Sequence, residues 1–293
     1  MREFVVISCI LILILFLSGC TSTTPVEHVL AVKNFIVRAP GEISTESTVP
    51  ITFWLKNQGN FIAKNTEIKF FDLQGFEIEK IECVGWEKKS VDLGFCTIGE
   101  IKPGRANRID VELKSPEDSG KKTVSYYVNS DYSGISKLLF SVWDKDEEDP
   151  HGNVQSVNSG GPLSVNIDSS FLIGVSSSDG ESFDKWVEEG EEFTIYITTK
   201  KVSSNYNFVG GKIEKENFKI KLEYIEPADG KCDLTKSGDY WIPKNDIDLE
   251  QKQPLTCKMK VKDIDGQKWV TGNIEVDYTY RYMFIEQYEF EIE

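Results

Sequence analysis

The chain has 293 residues, a formal net charge of −15 from 48 acidic against 33 basic side chains, and a hydrophobic fraction of 40%. That fraction excludes a disordered chain, and the acidity, with only 5 arginines, excludes a nucleic-acid partner, which would need clustered cations. Two histidines, His28 and His151, fall in a tether and a linker and leave no Ser–His or Cys–His nucleophile inside a domain, so no enzyme is expected.

Met1-Arg2-Glu3 precede an apolar run at residues 4–16, about 13 residues long, and then Leu17-Ser18-Gly19-Cys20. The run is too short to cross a bilayer, which takes roughly 20 residues, and has the length of a signal-peptide core. Leu-Ser-Gly-Cys in this position resembles the lipobox of prokaryotic lipoproteins. The resemblance implies removal of residues 1–19 as a signal peptide and a covalent diacylglycerol on Cys20. Two acyl chains anchor stably where one is marginal. The chain is therefore expected on the extracytoplasmic face of a cell membrane, with residues 20–28 as the lipidated tether. A plain secretory signal with a chance cysteine, or an uncleaved anchor, are the other readings.

Residues 29–143 show period-2 alternation and almost no helical period, which is the mark of antiparallel strands. Ile51, Phe53 and Leu55 share one face before a turn at Gln58-Gly59-Asn60, and residues 66–72 and 109–113 form further strands. Val124, Tyr126 and Val128 share a face, Asp131-Tyr132-Ser133-Gly134 read as a turn, and Leu138, Phe140 and Val142 follow as the next strand. Residues 144–162 are acidic and then rich in Ser, Asn and Gly, a composition that buries nothing and reads as a flexible linker spanning on the order of 25 Å. Residues 163–293 repeat the plan: 193–198 alternate, Ile274, Val276, Tyr278 and Tyr280 share a face, and Tyr288, Phe290 and Ile292 read as the returning arm of a last hairpin. The fold class is thus all-β, two tandem antiparallel β-sandwich domains free to reorient.

Cys9 leaves with the signal, and Cys83, Cys96, Cys232 and Cys257 remain, two in each half of an exported chain. Of three possible pairings the simplest is Cys83–Cys96 with Cys232–Cys257; the first loop, roughly 15 residues, is worth about 3 kcal/mol. Free buried thiols in a reducing habitat are the alternative.

Val49-Pro-Ile-Thr-Phe-Trp-Leu-Lys-Asn57-Gln-Gly-Asn, Ile98-Gly-Glu-Ile-Lys-Pro-Gly104 and Val111-Glu-Leu-Lys-Ser-Pro-Glu-Asp-Ser-Gly120 together resemble the immunoglobulin-like repeats of the CARDB and S-layer-associated type, found in archaeal and bacterial surface proteins. The resemblance covers residues 30–143, and residues 163–293 follow it in outline only. It implies immunoglobulin-like sandwiches with adhesion, scaffold or surface-layer roles, and it brings no catalytic residues.

Two acidic stretches have ligand-like spacing for Ca²⁺, residues 144–149 and Asp263-Ile-Asp265-Gly266, but neither matches a twelve-residue calcium loop. A solvated linker and an Asp-Gly turn are the plainer readings, so no metal site is expected. Aromatic anchors of a partner-binding surface are expected in the second half, at Tyr240, Trp241, Tyr280, Arg281, Tyr282 and Phe284. The leading expectation is a lipid-anchored adhesion, envelope-structural or protein-binding module whose partners are the membrane and a protein or envelope component. A substrate-capture lipoprotein of a transport system, and a carboxylate-dependent hydrolase, are the alternatives from other classes.

Overall fold

The computed structural model describes residues 30–37, 43–84, 88–90, 94–148, 152, 154–170, 186–202, 206–251 and 253–293. The signal segment, Cys20, the tether and both histidines lie outside these residues. Every regular element described is a strand except two single 3-10 turns, Val209–Gly211 and Lys215–Asn217. The first half contributes β1 (Leu30–Val37), β2 (Thr48–Asn57), β3 (Ala63–Asp72), β4 (Glu77–Cys83), β5 (Lys88–Ser90), β6 (Phe95–Ile101), β7 (Ala106–Lys114) and β8 (Gly120–Trp143). Then come β9 (Gln155–Asn158), β10 (Leu163–Ser169), β11 (Trp186–Glu188), β12 (Glu192–Lys201), β13 (Asn207–Phe208), β14 (Lys212–Ile213) and β15 (Phe218–Glu223). The chain ends with β16 (Ile225–Cys232), β17 (Leu234–Ser237), β18 (Tyr240–Pro243), β19 (Ile247–Asp248), β20 (Leu255–Val261) and β21 (Trp269–Ile292).

The fold is all-β and built of antiparallel sandwiches. A four-stranded sheet from the first half, β1-β2-β7-β4, is matched by one from the second, β10-β12-β20-β16. Both pack on a single central sheet whose main path runs β17-β18-β15-β21-β8-β3-β6-β5. Its order is the same read from either end, so the two halves repeat one topology. Each outer sheet has the order of the four-stranded sheet of an immunoglobulin sandwich.

The last strand of each half is where structure and sequence reading part. β8 and β21 are each 24 residues long, against the usual five or six. They pair without a register shift from Gly120–Ile292 to Trp143–Trp269, a ribbon of about 80 Å. The midpoint falls between the pairs Asp131–Arg281 and Tyr132–Tyr280. Asp131-Tyr132-Ser133-Gly134 is therefore continuous strand and not a turn, and residues 269–292 are one strand and not a hairpin.

Each long strand begins in its own half and completes the sandwich of the other. Phe140 of β8 packs edge-on against Phe193 of β12, and Ser136 donates to the Val165 carbonyl of β10. Reciprocally, Phe290 of β21 packs on Phe76, and the Glu293 N–H donates to the Ile43 carbonyl at 2.8 Å. Even-numbered positions 124–142 and 270–284 are all buried, so both outer sheets cover the same face of the central sheet. The buried side chains of the two halves form one contiguous cluster.

The expected linker thus does not separate the halves. The chain crosses from one to the other inside β8, and within residues 144–162 the strand β9 pairs with Ser136–Leu139 of β8. Two sandwiches sharing one sheet replace two domains free to reorient.

The turn motifs of the first half have clear causes. Asn57 is fully buried; its Oδ1 accepts the Gly59 N–H, and its Nδ2 donates to the Phe61 and Ile101 carbonyls at 2.8 and 2.7 Å. Gly104 has φ +73° in a turn closed by Arg105 N–H to Lys102 O, the left-handed position that glycine supplies. Two disulfides form, Cys83–Cys96 and Cys232–Cys257. The first joins the outer sheet to the central sheet through β4 and β6, and the second links the paired strands β16 and β20.

Candidate interaction surface

With even-numbered side chains turned inward, the odd-numbered ones of β8 and β21 line a broad outer face that no other layer covers among the described residues. Two equivalent rows cross it. In the first half Ile285, Tyr127 and Lys69 are register neighbours on β21, β8 and β3; in the second, Ile135, Asp277 and Lys219 are neighbours on β8, β21 and β15. Each row runs isoleucine, central residue, lysine, and each ends near an exposed aromatic ring.

In the first row that ring is Phe71, 51% exposed and stacked on Tyr127 at 6.2 Å between centroids. Ile285, 47% exposed, stands on the other side of Tyr127. The Tyr127 hydroxyl donates to Glu67 at 3.0 Å. Burial, and then that bond, push its pKa up to about 12, so it remains a neutral donor. Between the rows lies a polar knot: Arg281 pairs with Asp131 at 2.9 Å and donates to Asn129, while Asn65 donates to the other Asp131 oxygen at 2.8 Å.

The second row opens into a cleft of about 300 Å³ at the seam of the two halves. It is lined by Ser133 and Ile135 of β8, Asp277 and Thr279 of β21, Lys219 of β15 and Tyr240 of β18, together with Phe61 and Asn217. Burial, reinforced by Glu275, raises the pKa of the Asp277 carboxyl from its ordinary value, against the opposing pull of Lys137, Lys219 and Lys221. The Lys219 ammonium sits 5.6 Å from the centre of the Tyr240 ring, close enough for a cation–π contact.

Of the aromatics expected at a binding surface, Tyr240 alone is exposed, at 38%. Trp241 is half-buried, turned inward with its register neighbour Ile220. Tyr280, Tyr282 and Phe284 are buried in the seam, where Tyr280 and Tyr282 pack around Tyr132 and Phe284 packs against Tyr206. They stand on even positions of β21 and so face the core, which corrects their assignment as partner contacts. Arg281 does face outward, held in its ion pair. Phe71, Tyr127, Ile285 and Asp277 escaped the sequence reading, although Phe71 is out of phase with Ile68 and Phe70 on the same strand.

The carboxylates considered for calcium are engaged locally: Asp144 accepts the Asp146 N–H, and Asp263 accepts the Asp265 N–H in a turn where Asp265 and Gly266 have positive φ. Among the described residues no group of three His, Cys, Asp or Glu side chains is gathered as for a metal ion, and no helix is long and apolar enough to cross a membrane. A second cleft, of about 280 Å³, lies between β12 and the residues around Asp246–Leu255.

No protein-family model matches the chain, and no curated protein matches it. The likeness of residues 30–143 to CARDB repeats therefore rests on their motifs. Solved structures similar to the chain include the secreted serine protease VesC from Vibrio cholerae, 10% identical over 90% of this chain and 51% of that one, TM-score 0.22. They also include the serine-rich repeat protein Srr2 from Streptococcus agalactiae, 10% identical over 88% and 93%, TM-score 0.19. A third is the collagen adhesin CNA from S. aureus, 9% identical over 92% and 97%, TM-score 0.16. The chain spans about half the length of the VesC chain. TM-scores this low carry no argument about activity.

Proposed function

We propose that the chain is a lipid-anchored, extracytoplasmic and non-catalytic binding module that meets its partner with the outer face of the central sheet. The observation carrying this reading is the row Phe71–Tyr127–Ile285 on the outer sheet face, with both of its ends exposed: apolar side chains grouped across three strands mark contact surfaces. The path of the chain supports the orientation. β1 starts at Leu30, opposite Asn57 in an outer sheet and close to the seam, where the Phe61 N–H donates to the Tyr132 hydroxyl. Ten residues from Cys20 to Leu30 reach at most about 35 Å. A lipid on Cys20 would hold the outer sheets toward the membrane and turn the opposite face of the central sheet outward.

Fractionation of cells expressing the full chain tests the anchor: wild type is expected in the membrane pellet, and Cys20→Ser in the soluble exported fraction. Equal partition of both would overturn the anchoring. The released Cys20→Ser chain is then expected to bind source-cell envelopes saturably, and a linear, unsaturable signal would overturn the binding role.

A further inference from the structure

We propose that the seam cleft binds one sugar ring of an uncharged glycan, with Tyr240 as its platform and Asp277, Lys219 and Asn217 as its hydroxyl partners. This rests on the reading of the outer face as the presented surface and names a ligand class for one part of it.

The cleft's size and chemistry select the class. At about 300 Å³ it stands at the lower bound of small-ligand pockets and has room for a single ring. Its polar groups are mixed: Asp277 accepts, Lys219 donates, and Asn217 does both. Ser133 and Thr279 bond each other at 3.1 Å and still offer lone pairs to the cleft. An apolar ligand would strand these groups without hydrogen bonds. A phosphate or other anion would meet Asp277 and Glu216 against Lys219 alone, and a cation would meet Lys219.

A pyranose satisfies both kinds of wall. Its hydroxyls pair with neighbouring donors and acceptors, and its C–H face carries the slight positive charge that the negative face of an aromatic ring attracts. Tyr240 is exposed, and the Lys219 ammonium beside it places a hydroxyl partner within 5.6 Å of its ring centre. Asp277 and Lys219 are direct register neighbours on β21 and β15, so a donor and an acceptor stand side by side as vicinal hydroxyls require. The site is built from the ribbon and from both halves, with Ser133 and Ile135 on β8, Asp277 and Thr279 on β21, and Phe61 also lining it.

The test applies the full exported chain, Cys20→Ser, to an array of neutral and acidic oligosaccharides. The monosaccharide shared by the bound glycans is then titrated as its methyl glycoside, followed by saturation-transfer NMR. Saturable binding is expected, falling at least tenfold in Tyr240→Ala and in Asp277→Asn and unchanged in Lys56→Glu, exposed on an outer sheet. Both affected side chains lie at the surface of the fold, and circular dichroism of each variant separates lost contact from lost structure. An array on which nothing binds saturably, or glycan binding unchanged in both cleft variants, overturns the proposal. Selective retention of acidic glycans through contacts outside the cleft overturns it as well. If envelope binding persists while the array is blank, the sugar site fails and the binding-module reading stands; if both are absent, both fail.

Discussion

Gly134 and Gly272 each lie opposite an aromatic ring across the ribbon. A Cβ at Gly134 would stand 2.4 Å from the Tyr278 ring, and one at Gly272 2.4 Å from the Phe140 ring. Neither glycine has a positive φ, so it is this close approach, and not backbone conformation, that excludes a side chain. Gly134→Ala is expected to destabilise the protein by about 2–3 kcal/mol in chemical denaturation, the range of core overpacking. No change would mean that the two strands do not meet in this register. Asp277 works in the other direction. Its carboxyl is raised above 3.8 by burial and by Glu275, so the folded chain holds that proton more tightly than the unfolded one. The resulting penalty grows as pH rises past 3.8 and is complete above the folded pKa. Asp277→Asn should therefore raise Tm at neutral pH and leave it unchanged near pH 3, a difference that paired thermal scans detect. A residue that lowers stability while lining a cleft is what a binding role leads one to expect.

The elements differ in how far local pattern revealed them. β2 was legible because Ile51, Phe53 and Leu55 alternate with less buried neighbours, and all three are in the core. The two 24-residue strands were not, because Asp-Tyr-Ser-Gly has the composition of a turn, while the partner that keeps it extended lies about 150 residues away in sequence. The binding face suffered from the same gap. Tyr280 and Tyr282 are as aromatic as Phe71, and only the parity of β21 within the assembled sheet tells buried from exposed. The cysteines were easier, since proximity in sequence matched proximity in space. Their loops span separations of 13 and 25 residues, worth about 3 and 3.5 kcal/mol by chain entropy. Cys83→Ala/Cys96→Ala should lower stability by about 3 kcal/mol in urea titration, and alkylation without reductant should label none of the four thiols. Four labelled thiols would contradict the bridges.

At the scale of the molecule, exchange of β8 and β21 joins two sandwiches into one body. A core that runs through the seam, with each half completed by a strand begun in the other, predicts unfolding in a single cooperative transition. Calorimetry showing two separated transitions would mean that the halves are stable alone. The same rigidity fixes the outer face as one surface, with the Phe71 row and the seam cleft both on the side turned away from the outer sheets. The most direct test of that claim is the binding of fluorescent Cys20→Ser chain to source-cell envelopes, compared across surface variants. Phe71→Asp and Ile285→Asp are predicted to weaken binding at least tenfold, and Lys56→Glu, exposed on the opposite layer, to leave it unchanged. Loss with Lys56→Glu, or binding unaffected by either aspartate, would contradict the assignment of the outer face.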